Sequence, residues 1–220
     1  MAELDFEQAR FNMVEQQIRT WEVLNDRVLD ILRTVPRELF VPKAYRQLAF
    51  ADLSIPLAHE QVMLEPKVEA RILQALDPKP SEQALEIGTG TGYFAACLAH
   101  MAAHVTSVDI FADFTELAGN NLKARAISNV TLETGDAALG WNDGRRYDVI
   151  AVTSSLPELH QGFHQSLNIG GRLFLIVGTA PIMEAMLYTR VAEDQWITES
   201  LFETKTPALI NAPVTKTFVV

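Results

Sequence analysis

A glycine-rich turn at residues 86–92, Glu-Ile-Gly-Thr-Gly-Thr-Gly, constrains the fold more than any other feature of this 220-residue sequence. An apolar stretch typical of a strand, 84–87, leads into the turn, and an apolar stretch of helical length, 93–102, follows it. Glycines at such a junction let the chain turn sharply and let its backbone approach a ligand closely. The sequence therefore predicts a strand, a ligand-binding turn and a helix in that order.

The same alternation of strand and helix continues beyond the turn. The patterns predict strands at 84–87, 105–109, 130–133, 147–152 and 172–177, and helices at 93–102, 113–126 and 157–167. Strands that alternate with helices indicate a parallel sheet with right-handed crossovers. From about Ala185 the pattern predicts late strands that pair onto the same sheet. The predicted fold class is therefore α/β, with a Rossmann-like, doubly wound, mostly parallel sheet.

The N-terminal part of the chain has a different pattern. Apolar residues recur at helical spacing between residues 6 and 48, with prolines as interruptions. A further helix is predicted from about Lys67 to Leu76. We predict two regions, a helical cap with its following loop at residues 1–66 and a ligand-binding core at residues 67–220.

Composition excludes several classes of partner. The formal net charge of −10 argues against nucleic acid and against an anionic membrane surface as the main partner, because both require a basic face. Cys97 is the single cysteine, so no intrachain disulfide is expected. The acidic segment 1–5 does not resemble a signal peptide, and no apolar run reaches membrane-spanning length, which predicts a cytoplasmic location. The sequence gives no prediction of oligomeric state.

Acidic residues around the turn favour one of two candidate ligands. Glu86 lies two residues before the first glycine, which is unfavourable for the anionic pyrophosphate of a dinucleotide and suits the cationic groups of S-adenosylmethionine. Asp109 ends the second strand 21 positions after Gly88, close to the spacing of about 20 for an acid that binds a ribose. Asp136 follows the third strand, where it can accept a hydrogen bond from an adenine amino group.

The predicted cofactor is therefore S-adenosylmethionine, and its predicted ligands are Glu86, Gly88, Thr89, Gly90, Gly92, Asp109 and Asp136. The alternative with another ligand is an NAD-dependent dehydrogenase. The alternative without a ligand is that these acidic residues only cap helices.

Histidines offer no metal site by spacing. His160 and His164 are four residues apart on the predicted helix 157–167, but the intervening residues lack the glutamate of the H-E-x-x-H motif. A solvated helix face is the favoured interpretation, and no metal is predicted.

Four stretches of the chain resemble the protein-L-isoaspartate O-methyltransferase family. They are residues 13–19, residues 35–42, the glycine turn at 85–93, and the fourth and fifth strands with their surroundings at 147–153, 157–158 and 170–173. The resemblance implies a methyltransferase fold, S-adenosylmethionine as cofactor, and a protein or peptide carboxylate as methyl acceptor. Such a carboxylate is already ionised at neutral pH, so the transfer requires no strong general base.

The resemblance places the family's substrate loop at residues 58–64, where this chain departs from the pattern Gly-x-Gly-Gln-Thr-Ile-Ser. Gln61 is retained, Leu64 occupies the position of the final hydroxyl, and no catalytic residue is assigned. His59 and Gln61 are the candidates for substrate contact, with His59 also a possible base. Two alternatives therefore stay open: a methyltransferase of this fold with a different acceptor, and a cofactor-binding module with weak or no turnover.

Overall fold

The computed structural model describes residues 5–214. Its helices are α1 (Phe6–Asn12), α2 (Asp26–Thr34), α3 (Pro66–Leu76), α4 (Tyr93–Ala99) and α5 (Ala112–Lys123). Its strands are β1 (Ile55–Pro56), β2 (Val62–Met63), β3 (Gln83–Ile87), β4 (His104–Asp109), β5 (Val130–Thr134), β6 (Tyr147–Leu156), β7 (Leu167–Thr179), β8 (Ile182–Ala192) and β9 (Gln195–Thr204). A π-helical turn, Met13–Ile18, continues α1, and 3₁₀ turns occur at Arg19–Trp21, Arg37–Leu39, Lys43–Leu48 and His164–Ser166. None of the helices within residues 5–214 is long and apolar enough to cross a membrane.

Seven strands form the central sheet in the order β5-β4-β3-β6-β7-β8-β9. The first five are parallel, while β8 and β9 pair antiparallel at one edge. The predicted doubly wound, mostly parallel sheet is confirmed, as are the late strands that extend it. Because β3 lies between β4 and β6, the strand order reverses there, and the carboxyl end of β3 adjoins the crevice where such folds bind ligands.

Apolar side chains explain why these segments form a buried sheet. Four of the five residues of β3 are buried, and α4, which reads Tyr-Phe-Ala-Ala-Cys-Leu-Ala, is buried along its whole length. Strands covered on both faces carry continuous apolar runs rather than alternating ones. The glycine turn therefore connects two rigid, fully packed elements.

The N-terminal helices pack directly on the sheet. One continuous cluster of buried side chains joins Met13, Leu29 and Ile72 from the helical segments to Phe174 of β7. β1 and β2 form a small antiparallel hairpin between the helical segments and the sheet. Its tip, residues 57–61, is closed by hydrogen bonds from Leu57 N to Gln61 O and from Gln61 N to Ala58 O.

The prediction of a helix at 157–167 is wrong. The segment contains bends and turns and only one 3₁₀ turn, His164–Ser166. Gly162 lies so close to Leu139 that an added Cβ would collide with the Leu139 carbonyl, and this backbone contact holds the segment in an irregular path. His164 is buried against the rings of Tyr188 and Trp196 instead of facing solvent. Burial lowers the pKa of its imidazole to about 4.

Candidate active site

The glycine turn adopts backbone conformations that side chains rarely tolerate. Gly88 has φ +102°, and a Cβ there would collide with the Thr153 hydroxyl at the end of β6. Gly92 has φ +82°, caps α4 and would place a Cβ 2.9 Å from the Cβ of Ala118. Both positions require glycine, since positive φ and close packing act together. The turn thereby leaves its backbone open to the crevice.

Asp109 holds the turn from the end of β4. Its Oδ2 accepts a hydrogen bond from Gly90 N at 2.9 Å, and its Oδ1 accepts one from Phe111 N at 3.0 Å. Burial raises the pKa of this carboxyl, while the two backbone donors act in the opposite direction. Each carboxylate oxygen has further lone pairs, so Asp109 can also accept from a pair of ribose hydroxyls.

Glu86 is a fully buried carboxyl whose hydrogen bonding is incomplete. Ser107 donates to its Oε2, and Thr89 hydrogen-bonds Ser107 at 2.7 Å. Its Oε1 has no hydrogen-bond partner within residues 5–214. Burial raises the pKa of Glu86 to about 8. Such an unpaired buried oxygen is costly unless a ligand provides a donor or a positive charge.

Two adjoining cavities bring most of the predicted residues together. The larger, a crevice of about 620 Å³, is lined by residues that include Gln61, Gly88, Gly90, Asp109 and Asp136. The smaller cavity is lined by Leu64, Glu86, Gly88, Thr89 and Gly90, among others. Gly92 lines neither cavity, because it caps α4 and packs on Ala118.

The charged residues that line the two cavities are all acidic. Asp109 and Asp136 line the crevice and Glu86 lines the smaller cavity, where Glu69 is paired with Arg37, whereas no Lys or Arg of residues 5–214 lines either. An acidic lining of this kind favours a ligand that carries positive charge. The sulfonium and amino groups of S-adenosylmethionine fit this requirement.

Asp136 lines the crevice and follows β5 in the chain. Its Oδ1 accepts from Ala138 N at 2.9 Å, and its Oδ2 accepts from the side chain of Asn211 at 2.8 Å. The contact with an adenine amino group stays a prediction, and it would add to these two bonds.

The C-terminal segment is a part of the crevice that sequence reasoning missed. Ser155 N donates to Pro207 O and Leu209 N donates to Ser155 O, so the segment pairs alongside the end of β6. Thr206, Pro207, Leu209 and Ile210 consequently line the crevice. Nothing in their composition signals this role, because it arises from a tertiary strand pairing.

The structure separates the two substrate-loop candidates, Gln61 and His59, and places Leu64 apart from both. Gln61 lines the crevice, and its side chain donates to His59 O at 3.1 Å. Leu64 is buried in the smaller cavity near Glu86. His59 instead lies outside both linings, stacked on Phe111.

A buried ion pair that the sequence did not predict fixes the position of Leu64. Arg37, from the 3₁₀ turn Arg37–Leu39, forms a salt bridge with Glu69 of α3, and both side chains are almost completely buried. Its Nη2 donates to Leu64 O at 2.5 Å and its Nε to Ala49 O at 2.8 Å. Burial raises the pKa of Glu69 to about 7 against the lowering effect of Arg37.

Comparison with known proteins decides between the ligand classes. The sequence profile of Protein-L-isoaspartate(D-aspartate) O-methyltransferase (PCMT) matches residues 8–208. The chain belongs to this family. Among its relatives, the Protein-L-isoaspartate O-methyltransferase of Syntrophus aciditrophicus is 38% identical over 189 residues, which cover 86% of this chain and 87% of the relative. A Rhodopseudomonas palustris (strain HaA2) relative, Protein-L-isoaspartate O-methyltransferase 1, is 37% identical and covers 94% and 84%.

Solved structures of the PCMT family share the fold. One protein-L-isoaspartate O-methyltransferase superposes with a TM-score of 0.78 at 23% identity, covering 90% of this chain and 65% of the other. A Plasmodium falciparum protein described as a beta-aspartate methyltransferase, in complex with S-adenosyl-L-homocysteine, superposes with a TM-score of 0.77 at 19% identity and covers 94% and 99%. These superpositions confirm the predicted methyltransferase fold, and the profile match and the sequence relatives confirm the family resemblance.

Within residues 5–214, no cluster of three or more His, Cys, Asp or Glu side chains has the arrangement of a metal site. The donor set at the crevice instead consists of the glycine-turn backbone and separate carboxylates, which suits an organic cofactor.

The raised pKa of Glu86 gives a testable pH dependence. A cationic ligand favours the ionised carboxylate, so binding must supply the free energy of deprotonation below pH 8. We expect the affinity for S-adenosylmethionine to rise from pH 6 to pH 8, by at most about tenfold per pH unit. Titration calorimetry at these pH values checks this.

Glu86→Gln is the matched control because it removes the titration and keeps the shape. Glu69 titrates nearby, so the difference between the native protein and Glu86→Gln isolates the contribution of Glu86. An identical pH profile in the two proteins would contradict the assignment.

Proposed function

We propose that this protein is an S-adenosylmethionine-dependent O-methyltransferase that methylates a carboxylate of an isoaspartyl residue in a protein or peptide. Family membership supports the reaction class, since the relatives are protein-L-isoaspartate O-methyltransferases. The structural observation that carries the proposal is the buried, unpaired Glu86 oxygen beside the glycine turn. It fits the positive charge that distinguishes this cofactor from a dinucleotide.

Residues at the ends of two neighbouring strands, β3 and β4, would hold the cofactor. The turn at Gly88 and Gly90 would lie against its methionine part, Glu86 would balance its charge, and Asp109 would bind the ribose. When bound, the cofactor supplies a sulfonium methyl group, and transfer to a carboxylate oxygen forms a C–O bond as the C–S bond breaks, with no proton transferred. The protein would contribute alignment and exclusion of water rather than acid–base catalysis.

The acceptor would reach the sulfur from the side of the small cavity. Val62 and Leu64 of the hairpin line that cavity opposite Gly88 and Thr153. This wall offers the acceptor an apolar surface without a cationic side chain. The positive charge that attracts a carboxylate therefore has to come from the cofactor, which predicts that the cofactor binds before the acceptor.

A paired assay tests the proposal. Binding of S-adenosylmethionine is measured by calorimetry, and methyl transfer is then followed with an isoaspartyl peptide and, as control, the same peptide with ordinary L-aspartate. We expect binding and transfer only to the isoaspartyl peptide. Tight binding without transfer to either peptide would contradict the acceptor and leave a methyltransferase with another acceptor. That second function is favoured by one observation, the apolar Leu64 in the acceptor cavity.

A substitution at Leu64 tests whether the missing hydroxyl limits the reaction. Leu64→Ser introduces a donor for the acceptor carboxylate, and we expect kcat/KM for the isoaspartyl peptide to rise about tenfold, which is the effect of one charged hydrogen bond. Leu64→Ala is the matched control, because it removes the same side-chain bulk without adding a hydroxyl. Equal rates for the two variants would show that space, and not a hydrogen bond, controls the rate.

A further inference from the structure

The hairpin tip is attached to the opposite wall of the crevice through His59. The imidazole stacks on the ring of Phe111, with ring centroids 3.9 Å apart and an angle of 7° between the planes. Its Nε2 lies 2.9 Å from Oδ2 of Asp113, in the first turn of α5. Phe114 adds an edge-to-face contact at 5.5 Å. Three independent contacts therefore join residue 59 to the segment that follows β4.

These contacts join two segments that both line the crevice. Leu57 and Gln61 of the tip line it, and so do Phe111 and Phe114 of the segment that follows β4. Asp109, the predicted ribose ligand, lies two residues before Phe111 on the same segment. A bridge from His59 to Phe111 and Asp113 thus spans the end of the crevice where the nucleoside is expected.

The backbone conformation of the hairpin tip indicates that contacts of the tip with its surroundings hold it in place. His59 and Glu60 have φ of 55° and 58°, a left-handed conformation that residues other than glycine adopt infrequently. Two consecutive residues in this conformation carry a cost, and it persists only where surrounding contacts offset it. The ring stacking of His59 and its hydrogen bond with Asp113 are contacts of this kind.

We propose that His59, Phe111 and Asp113 form a clasp that controls the entry and release of the nucleoside end of the cofactor. The inference rests on the proposed function for the identity of the ligand. His59 is then a positioning residue that acts through the hairpin, not a base for the acceptor. All three clasp groups belong to the protein, so the clasp stabilises the closed hairpin equally with and without cofactor. The clasp therefore changes the association and dissociation rate constants of the cofactor and leaves its Kd almost unaltered.

Stopped-flow binding of S-adenosylhomocysteine tests the clasp. For His59→Ala, we expect the association and dissociation rate constants both to rise about tenfold, with Kd changed less than about threefold, because a stacked ring and a partly exposed hydrogen bond are lost together. His59→Phe keeps the stack and loses the hydrogen bond, so its rates should rise only about twofold to threefold, and Asp113→Asn should behave like it. His100→Ala, an exposed histidine at the end of α4, is the matched control and should leave both rates unchanged.

Two results would overturn the clasp. Unchanged rates in His59→Ala would show that the hairpin does not limit access. A rise in the dissociation rate alone would show that His59 contacts the ligand directly. The midpoint of thermal unfolding should fall by only about 3–6 °C in His59→Ala relative to His100→Ala, which is the cost of the lost contacts, and a larger fall would show a general loss of stability rather than gating.

Hydrogen exchange separates this inference from the proposed function. If the native protein failed to bind S-adenosylhomocysteine, the proposed cofactor would be wrong, while exchange at residues 57–61 would still report on the clasp. Faster exchange there in His59→Ala than in His100→Ala supports it, and equal exchange contradicts it.

Discussion

Replacement of Arg37 by methionine is expected to lower the free energy of unfolding by about 3–5 kcal/mol, the typical cost of breaking a buried ion pair. The substitution leaves Glu69 buried without its counter-ion. It also removes the guanidinium nitrogens that donate to Leu64 O and to Ala49 O. Urea unfolding measures the loss. Arg145→Met is the matched control, because Arg145 is 63% exposed and its contact with Asp143 is long, at 3.8 Å. We expect it to change stability by less than about 1 kcal/mol.

A double substitution separates the charge from the packing. Arg37→Met combined with Glu69→Met replaces the pair by apolar side chains, which in other proteins is often close to neutral. Recovery of most of the lost stability would show that the isolated Glu69 carboxylate causes the defect. If Arg37→Met were as stable as Arg145→Met, the pair would not support the hairpin as the structure indicates.

Replacement of Asp109 by alanine is expected to weaken the binding of S-adenosylmethionine by roughly 1.5–3 kcal/mol, the value of a lost charged hydrogen bond. Asp109 has two roles in this prediction, since it orients the turn through Gly90 N and offers its free lone pairs to the ribose. Calorimetry measures the affinity. Asp109→Asn keeps the shape and one acceptor oxygen, so its loss should be smaller.

Asp194→Ala provides the control for Asp109, because Asp194 is exposed in the turn between β8 and β9. Its affinity should equal that of the native protein. An unchanged affinity in Asp109→Ala would remove the ribose assignment, even if the cofactor still binds elsewhere in the crevice.

The sequence could predict the parts of the fold that depend on local pattern. Apolar runs of strand length and the glycines of the turn are visible in the sequence. The structure has strands and a turn at the positions that these patterns predict. The spacing from Gly88 to Asp109 also predicted that Asp109 lies close to the glycine turn, because neighbouring parallel strands end at the same edge of the sheet. Local signals therefore predicted where most of the candidate cofactor residues come together.

Features that depend on tertiary contacts could not be predicted in the same way. The stretch 35–42 was recognisable as a family motif, but its pattern does not show that Arg37 pairs with Glu69 and supports Leu64. The helix predicted at 157–167 failed because the backbone contact of Gly162 with Leu139 overrides the local preference. His59 could be named as a candidate for substrate contact, but its partners Phe111 and Asp113 are more than fifty residues away in the sequence.

The most direct test of the central claim is a crystal structure determined with S-adenosylhomocysteine at saturating concentration. We predict the homocysteine part against the glycine turn beside Glu86, and the ribose hydroxyls within hydrogen-bond distance of the Asp109 carboxylate. Adenosine bound away from Asp109, or no nucleoside between β3 and β4 at their carboxyl ends, would contradict the account.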